Sequence, residues 1–190
     1  MNTKDEILKV AIELFNEKGY HQVKMRDISQ ALNISVGNVT YHYKKKQMIL
    51  NEIMNQSFEL LKRDKVVESF QDYFEFNQKI LQTIEANKFY FNNKVIYDEH
   101  PEFLVINQIR RDEIKHQYIQ ALKQLRYHQL ITMEDDVLDV FIVFTLLSHI
   151  GWLQEPMRAE KLSVEDCIRS HLVLLAPYCT KSGLKALEEL

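Results

Sequence analysis

Only four glycines and three prolines punctuate the 190 residues of this chain. Folds made of many short strands need turn residues at roughly every 8–12 positions, so so few breakers favour long helices over strands. The fold class expected is therefore all-α. With 46% of residues hydrophobic and 27% charged, the chain has apolar material for a substantial core. The longest apolar run, Val140 to Leu153, is interrupted by Thr145, Ser148 and His149. It is also shorter than the roughly 18–20 residues that span a bilayer, so it is expected to be a buried helix.

Charge divides the chain. Up to Lys46 there are eight Lys/Arg against five Asp/Glu, and the remainder carries sixteen against twenty-two. A basic head suits a polyanion, whereas an acidic body is repelled by one. The opening MNTKDEILKV has acids where a secretory signal is apolar, and Cys167 and Cys179 make no disulfide framework or metal-ligand spacing. A cytoplasmic, reducing location is expected, with no membrane association, no metal and no cofactor.

The head holds one segment of concentrated chemistry, ISVGNVTYHYKKK from Ile34 to Lys46. Ser35 is suited to cap a helix, since its hydroxyl accepts from the free N–H groups of a first turn. Helical spacing then brings Val36, Gly37, Thr40 and Tyr41 near one exposed face and turns Val39 and Tyr43 inward. A glycine inside a helix costs about 1 kcal/mol relative to alanine, so Gly37 implies close approach of something to the backbone. Asn38, Tyr41, His42 and Lys46 add hydrogen-bonding groups of the types that contact phosphate. Upstream, Ile7, Leu8, Ala11, Leu14 and Phe15 predict a helix that Gly19 stops, and a short helix from about Met25 to Leu32 turns Ile28, Ala31 and Leu32 inward. Thr3 with Glu6 fits a capping box. A supporting helix followed by two short helices across a tight turn makes a helix-turn-helix unit.

The run AIELFNEKGYHQVKMRDISQALNISVGNVTYHYKKKQMIL resembles the N-terminal domain of TetR-type transcriptional regulators. Ala11, Leu14, Phe15, Gly19, Ile28, Ala31, Ser35, Gly37, Tyr41, His42 and Lys46 match the family pattern, with Tyr43 in place of phenylalanine. The match covers the first quarter of the chain. It implies that Tyr41, His42 and Lys46 contact phosphate and that Val36, Gly37, Asn38 and Thr40 lie in the major groove. Arg26 can pair with a guanine, and Lys46 opens a helix whose N-terminal dipole favours an anion. Lys24 departs from the pattern: it stands where a threonine usually caps the second helix. Lysine has no acceptor, so the cap is expected to be lost, although its ammonium can reach a phosphate.

Residues 1–46 are thus expected to form a helix-turn-helix DNA-binding domain and residues 47–190 a helical ligand-binding and dimerisation domain. In the latter, a helix from Gln47 to about Lys62 connects to an aromatic-rich stretch, and Pro101 opens a long helix. Tyr73, Asn77, Phe91, Tyr97, Asn107, Arg110 and Tyr118 are the candidate ligand contacts, combining aromatic faces with a few directed polar groups. Thr132 with Asp135 and Ser163 with Asp166 repeat the capping-box spacing, and Gly183 marks a turn before a terminal helix. The helix from Asp136 to Leu153 is apolar almost all round, which demands cover on all sides. A second subunit is one such cover, and TetR-type proteins usually dimerise through their last two long helices. The candidate interface is Phe141, Phe144, Thr145, Ser148, Trp152, Ile168, His171, Leu172 and Leu175.

No His-x-x-x-His pair, nucleophile elbow, P-loop or dinucleotide turn is present, so the chain is not expected to be an enzyme. The function expected is a ligand-responsive homodimer on a palindromic operator in double-stranded DNA, probing a small-molecule effector through its second domain. The rival reading keeps the DNA contact and makes the helical domain a dock for a protein partner.

Overall fold

The computed structural model describes residues 3–62, 65–91, 96, 98, 100–152 and 163–190. Of the described residues, 80% are helical. Residues 1–62 with 86–100 form one compact unit, and residues 63–85 with 101–190 form a second.

In the first unit, α1 (Thr3–Lys18) buries Ile7, Leu8, Ala11 and Phe15. It ends where Gly19, at φ +83°, adopts a left-handed conformation that glycine takes without steric cost. α2 (Met25–Ala31) buries Ile28 and Ser29, leaving Leu32 half-buried and Ala31 exposed, so its inward face is narrower than the apolar pattern implies. Lys24 makes no side-chain cap, as its chemistry requires. Half of a capping box survives, because the Asp27 carboxylate accepts from the Lys24 N–H at 2.7 Å. Asn33, at φ 54°, makes the turn into α3 (Val36–His42).

This unit does not stop at residue 46. α4 (Lys46–Leu61) adds Ile49, Leu50, Ile53 and Met54 to the buried core. After α5 (Phe70–Ala86), the short α6 (Lys88–Phe91) brings Phe89 to 5.2 Å from Phe15 between ring centroids. Asn16 clamps that junction with both ends of its amide, donating to the Ala86 carbonyl at 2.7 Å and accepting from the Phe89 N–H at 3.1 Å.

The second unit packs α5, α7 (Glu102–Tyr127), α8 (Asp135–Trp152) and α9 (Val164–Leu175), closing with a 3₁₀ turn (Ala176–Tyr178) and α10 (Lys181–Glu188). Ser163 and Asp166 form the expected capping box, with the serine hydroxyl accepting from the Asp166 N–H at 3.1 Å and the carboxylate accepting from the Ser163 N–H at 2.6 Å. Thr132 does not cap α8: its hydroxyl donates to the Tyr178 carbonyl at 3.2 Å. The α7–α8 junction is held instead by Arg126, which donates to the Met133 carbonyl at 2.9 Å and pairs with Asp135 at 2.8 Å. Among the described residues no helix is long and apolar enough to cross a membrane.

Gly183 lies within α10 rather than in a turn before it, and Thr180 is the residue that caps this helix. A Cβ on Gly183 would stand 1.9 Å from the Leu130 carbonyl oxygen, so glycine is what lets α10 close on the α7–α8 loop. Backbone cannot move aside as a flexible side chain does. Gly183→Ala is therefore expected to lower unfolding stability by about 1–3 kcal/mol despite alanine's better helix propensity. Urea denaturation checks it, and a variant as stable as the parent would show that the loop gives way.

Candidate functional site

In α3, Ser35 caps the helix by accepting from the Asn38 N–H at 3.1 Å. Such a cap contributes about 1 kcal/mol. Val39 is the buried residue of the helix, and Tyr43 immediately after it is 3% exposed. The opposite side is open: Val36, Gly37, Asn38 and Tyr41 are exposed and Thr40 and His42 half-buried. Tyr41 is 84% exposed, an unusual position for a tyrosine with no function outside the chain. The Thr40 hydroxyl donates back to the Gly37 carbonyl at 3.1 Å, which commits its donor and leaves the methyl and an acceptor outward. Lys24, Arg26, Lys44 and Lys45 are also exposed in this unit.

Lys46 behaves differently from the phosphate contact expected of it. Its ammonium donates to the carbonyls of Tyr20 at 2.6 Å, Val23 at 2.9 Å and His21 at 3.4 Å, and it lies 4.1 Å from the Tyr20 ring centroid. An ammonium has three N–H directions, and three carbonyls take them all. Lys46 thus ties the start of α4 to the loop that leads into α2.

In the second unit three of the candidate ligand residues come together. Tyr73, Asn77 and Tyr118 are completely buried, and the Tyr118 hydroxyl donates to Asn77 Oδ1 at 2.8 Å. Burial pushes the Tyr73 and Tyr118 phenols well up, so both stay protonated. Asn107 is buried and Arg110 half-buried on α7. Phe91 belongs to the first unit, and Tyr97 lies outside the described residues.

The residues assigned to a subunit interface largely fill the same interior. Phe141, Thr145, Trp152, Ile168, His171, Leu172 and Leu175 are buried within the chain, and Ser148 is half-buried. Phe144 alone of the set stays exposed, at 52%. Its neighbours at helical spacing, Val140, Val143, Leu147 and Ile150, are exposed with it, as are Val173 and Leu174 on α9. The two helices therefore have one apolar face inside and another outside.

Thr145, Ser148, His149 and His171 join Tyr118 and Asn77 in a polar cluster that no spacing rule announced. The Tyr118 hydroxyl is 3.5 Å from His149 Nδ1, the Ser148 hydroxyl contacts His171 Nε2, and the two imidazoles stand edge to face with centroids 4.9 Å apart. Burial, reinforced by His171, pushes His149 down to about 3, and burial pushes His171 down to about 4. Both rings are neutral near pH 7. Among the described residues no group of three or more His, Cys, Asp or Glu could hold a metal ion.

Residues 7–53 match the model of a family described as bacterial regulatory proteins, tetR family. The chain is 29% identical over 137 residues to the biofilm operon icaADBC negative transcriptional regulator IcaR of Staphylococcus epidermidis, spanning 70% of this chain and 69% of that one. It is 44% identical over 55 residues to the transcriptional regulator QacR of Staphylococcus aureus, but spans only 29% of each chain. A match to the probable regulator YttP of Bacillus subtilis likewise spans only 28% of that protein. Among solved structures, a TetR-family transcriptional regulator from Marinobacter aquaeolei superposes with a TM-score of 0.87 at 21% identity, covering 100% of this chain and 97% of that one. The SmeT–triclosan complex superposes at 0.72 with 16% identity, covering 95% and 93%. At these identities the superpositions establish a shared fold.

Lys46→Met should lower the stability of the protein by about 1–3 kcal/mol, the range for removing a charged hydrogen-bond partner. DNA affinity should fall while the slope of log affinity against log salt stays that of the parent. A stable variant with the slope reduced by about one would instead make Lys46 a phosphate contact.

Proposed function

We propose that this chain is a TetR-family transcriptional regulator, a reading supported by the match of residues 7–53 to that family's model and by the similarity to IcaR, and that it is a homodimeric repressor released from a near-palindromic operator by a small-molecule effector. The observation that carries the DNA-binding part is the outward edge of α3. Val36, Gly37, Asn38, Thr40 and Tyr41 stand free on a helix whose inner side is anchored by Val39. In this reading Val36 and the Thr40 methyl meet thymine methyls, Asn38 and Arg26 read base edges, and Tyr41, His42, Lys24, Lys44 and Lys45 hold phosphate.

Gly37 supports the same reading from the opposite direction. A Cβ there would meet only the Ser35 hydroxyl, at an ordinary 3.7 Å, so nothing inside the chain requires glycine. The requirement is then external, for close approach of a groove.

Dimerisation rests on the outer stripe of α8, with Val140, Val143, Phe144, Leu147 and Ile150, and on Val173 and Leu174 of α9. Apolar surface of this extent on two adjoining helices favours burial against its own copy. The cluster around Tyr118 supports an effector site, and the SmeT structure shows that fold holding triclosan. Repression draws on IcaR, which is named a negative regulator. The effector releases DNA in proportion to its preference for the non-binding conformation.

Fluorescence anisotropy on duplex DNA separates the roles. Gly37→Ala should leave stability unchanged or raise it by up to about 1 kcal/mol, yet weaken operator binding at least tenfold. Lys44→Ala and Lys45→Ala should each reduce the salt slope by about one, while Arg26→Ala and Thr40→Ala change base preference more than affinity for random DNA. A Gly37→Ala protein that binds the operator as the parent does would remove α3 from the groove.

A further inference from the structure

The buried cluster of the second unit is two chains of hydrogen bonds, and each starts at a main-chain carbonyl, which only accepts. Asn77 Nδ2 donates to the Tyr73 carbonyl at 2.7 Å, which orients the amide and turns Oδ1 toward Tyr118. Tyr118 must then donate its proton to Oδ1, at 2.8 Å, and toward His149 its oxygen can only accept. His149 therefore carries its proton on Nδ1 and keeps a bare lone pair on Nε2. The second chain runs the same way. The Ser148 hydroxyl donates to the Thr145 carbonyl at 2.7 Å, so it accepts from His171, whose proton lies on Nε2 and whose Nδ1 is bare.

His149 Nε2 and His171 Nδ1 are buried in residues only 1% and 2% exposed, and neither has a hydrogen-bond partner. A buried acceptor left unmet carries the desolvation penalty of that group, and two of them belong to rings whose centroids are 4.9 Å apart. Both ask for donors. An anion would meet lone pairs, and protonating the rings to receive it runs against burial that holds them near 3 and 4. A cation would lack a counter-charge, since no acid is among the buried polar residues of the described chain. The rings of Tyr73 and Phe76 pack against Tyr118, with centroids at 6.3 and 4.8 Å, which adds aromatic surface beside the acceptors.

We propose that the bare nitrogens of His149 and His171 are the polar end of the effector site and that this site takes an uncharged aromatic molecule bearing hydroxyl donors, of the phenol class. The proposal rests on the ligand-responsive reading above and names its ligand chemistry.

Phenol, benzoate and benzyltrimethylammonium are the probes, used on the full chain labelled with ¹⁵N in histidine. In the free protein the nitrogen spectra should show His149 protonated on Nδ1 and His171 on Nε2. Phenol should move the two bare-nitrogen resonances and raise Tm with concentration, and the other probes should do neither. His149→Phe and His171→Phe should each lower phenol affinity at least tenfold; if either fails to fold, the wild-type titration decides alone. The opposite tautomers, unmoved bare nitrogens, or benzoate or the ammonium binding as well as phenol would each overturn the proposal. Phenol bound at these nitrogens without loss of DNA binding would overturn only the ligand-responsive reading. Release of DNA by a molecule that leaves both nitrogens unmoved would overturn only this one.

Discussion

Val39 is the contact on which the DNA-binding unit turns. α3 is seven residues long, too short to persist alone in water, because helix nucleation is unfavourable and marginal helices need about 12–15 residues. In the proposed function its outer edge must also remain unpacked to meet a groove. What holds it is one buried valine, the Ser35 cap and the buried Tyr43 that follows. The surrounding parts serve that arrangement: Asn33 sets the turn before it, α4 supplies the core beneath, and the Lys46 ammonium gathers the carbonyls that lead into α2. A reading helix that does little to stabilise itself depends on such supports for its position.

The second unit solves a different problem. α8 is apolar around its circumference, yet Thr145, Ser148 and His149 run through its buried side. Thr145 returns its hydroxyl to the Phe141 carbonyl at 3.0 Å, Ser148 returns its own to Thr145, and the histidines follow. Polar groups thus enter a helical interior by leaning on carbonyls already present, and the chains stop at buried nitrogens that have no hydrogen-bond partner. Interior polarity that the fold itself satisfies only in part is the common physical basis of a recognition site.

Much of this was legible in the sequence. The scarcity of glycine and proline announced an all-helical chain, and Ser35, Gly37 and the inward Val39 and Tyr43 could be placed by 3.6-residue spacing alone. Lys46 could not, because its partners lie on a loop more than twenty residues earlier and spacing says nothing of such contacts. Which side of α8 is buried could not be read either, for a related reason. On a helix apolar all round, periodicity has no phase, so nothing local separates Phe141, which faces in, from Phe144, which faces out. Tyr73, Asn77 and Tyr118 could be singled out because aromatic and amide groups stand out among apolar neighbours, and the structure buries all three. In the sequence His149 only interrupts an apolar run and His171 is an interface candidate, and only the direction of each hydrogen bond distinguishes them.

The central claim is that two copies of α3 read DNA about a two-fold axis, and selection of the purified chain on random duplexes tests it most directly. The account predicts enrichment of a near-palindrome whose half-sites lie about one helical turn, or a multiple of it, apart. Binding to it should weaken linearly in log salt. Enrichment of no sequence, or of a single asymmetric site bound by one chain, would contradict it.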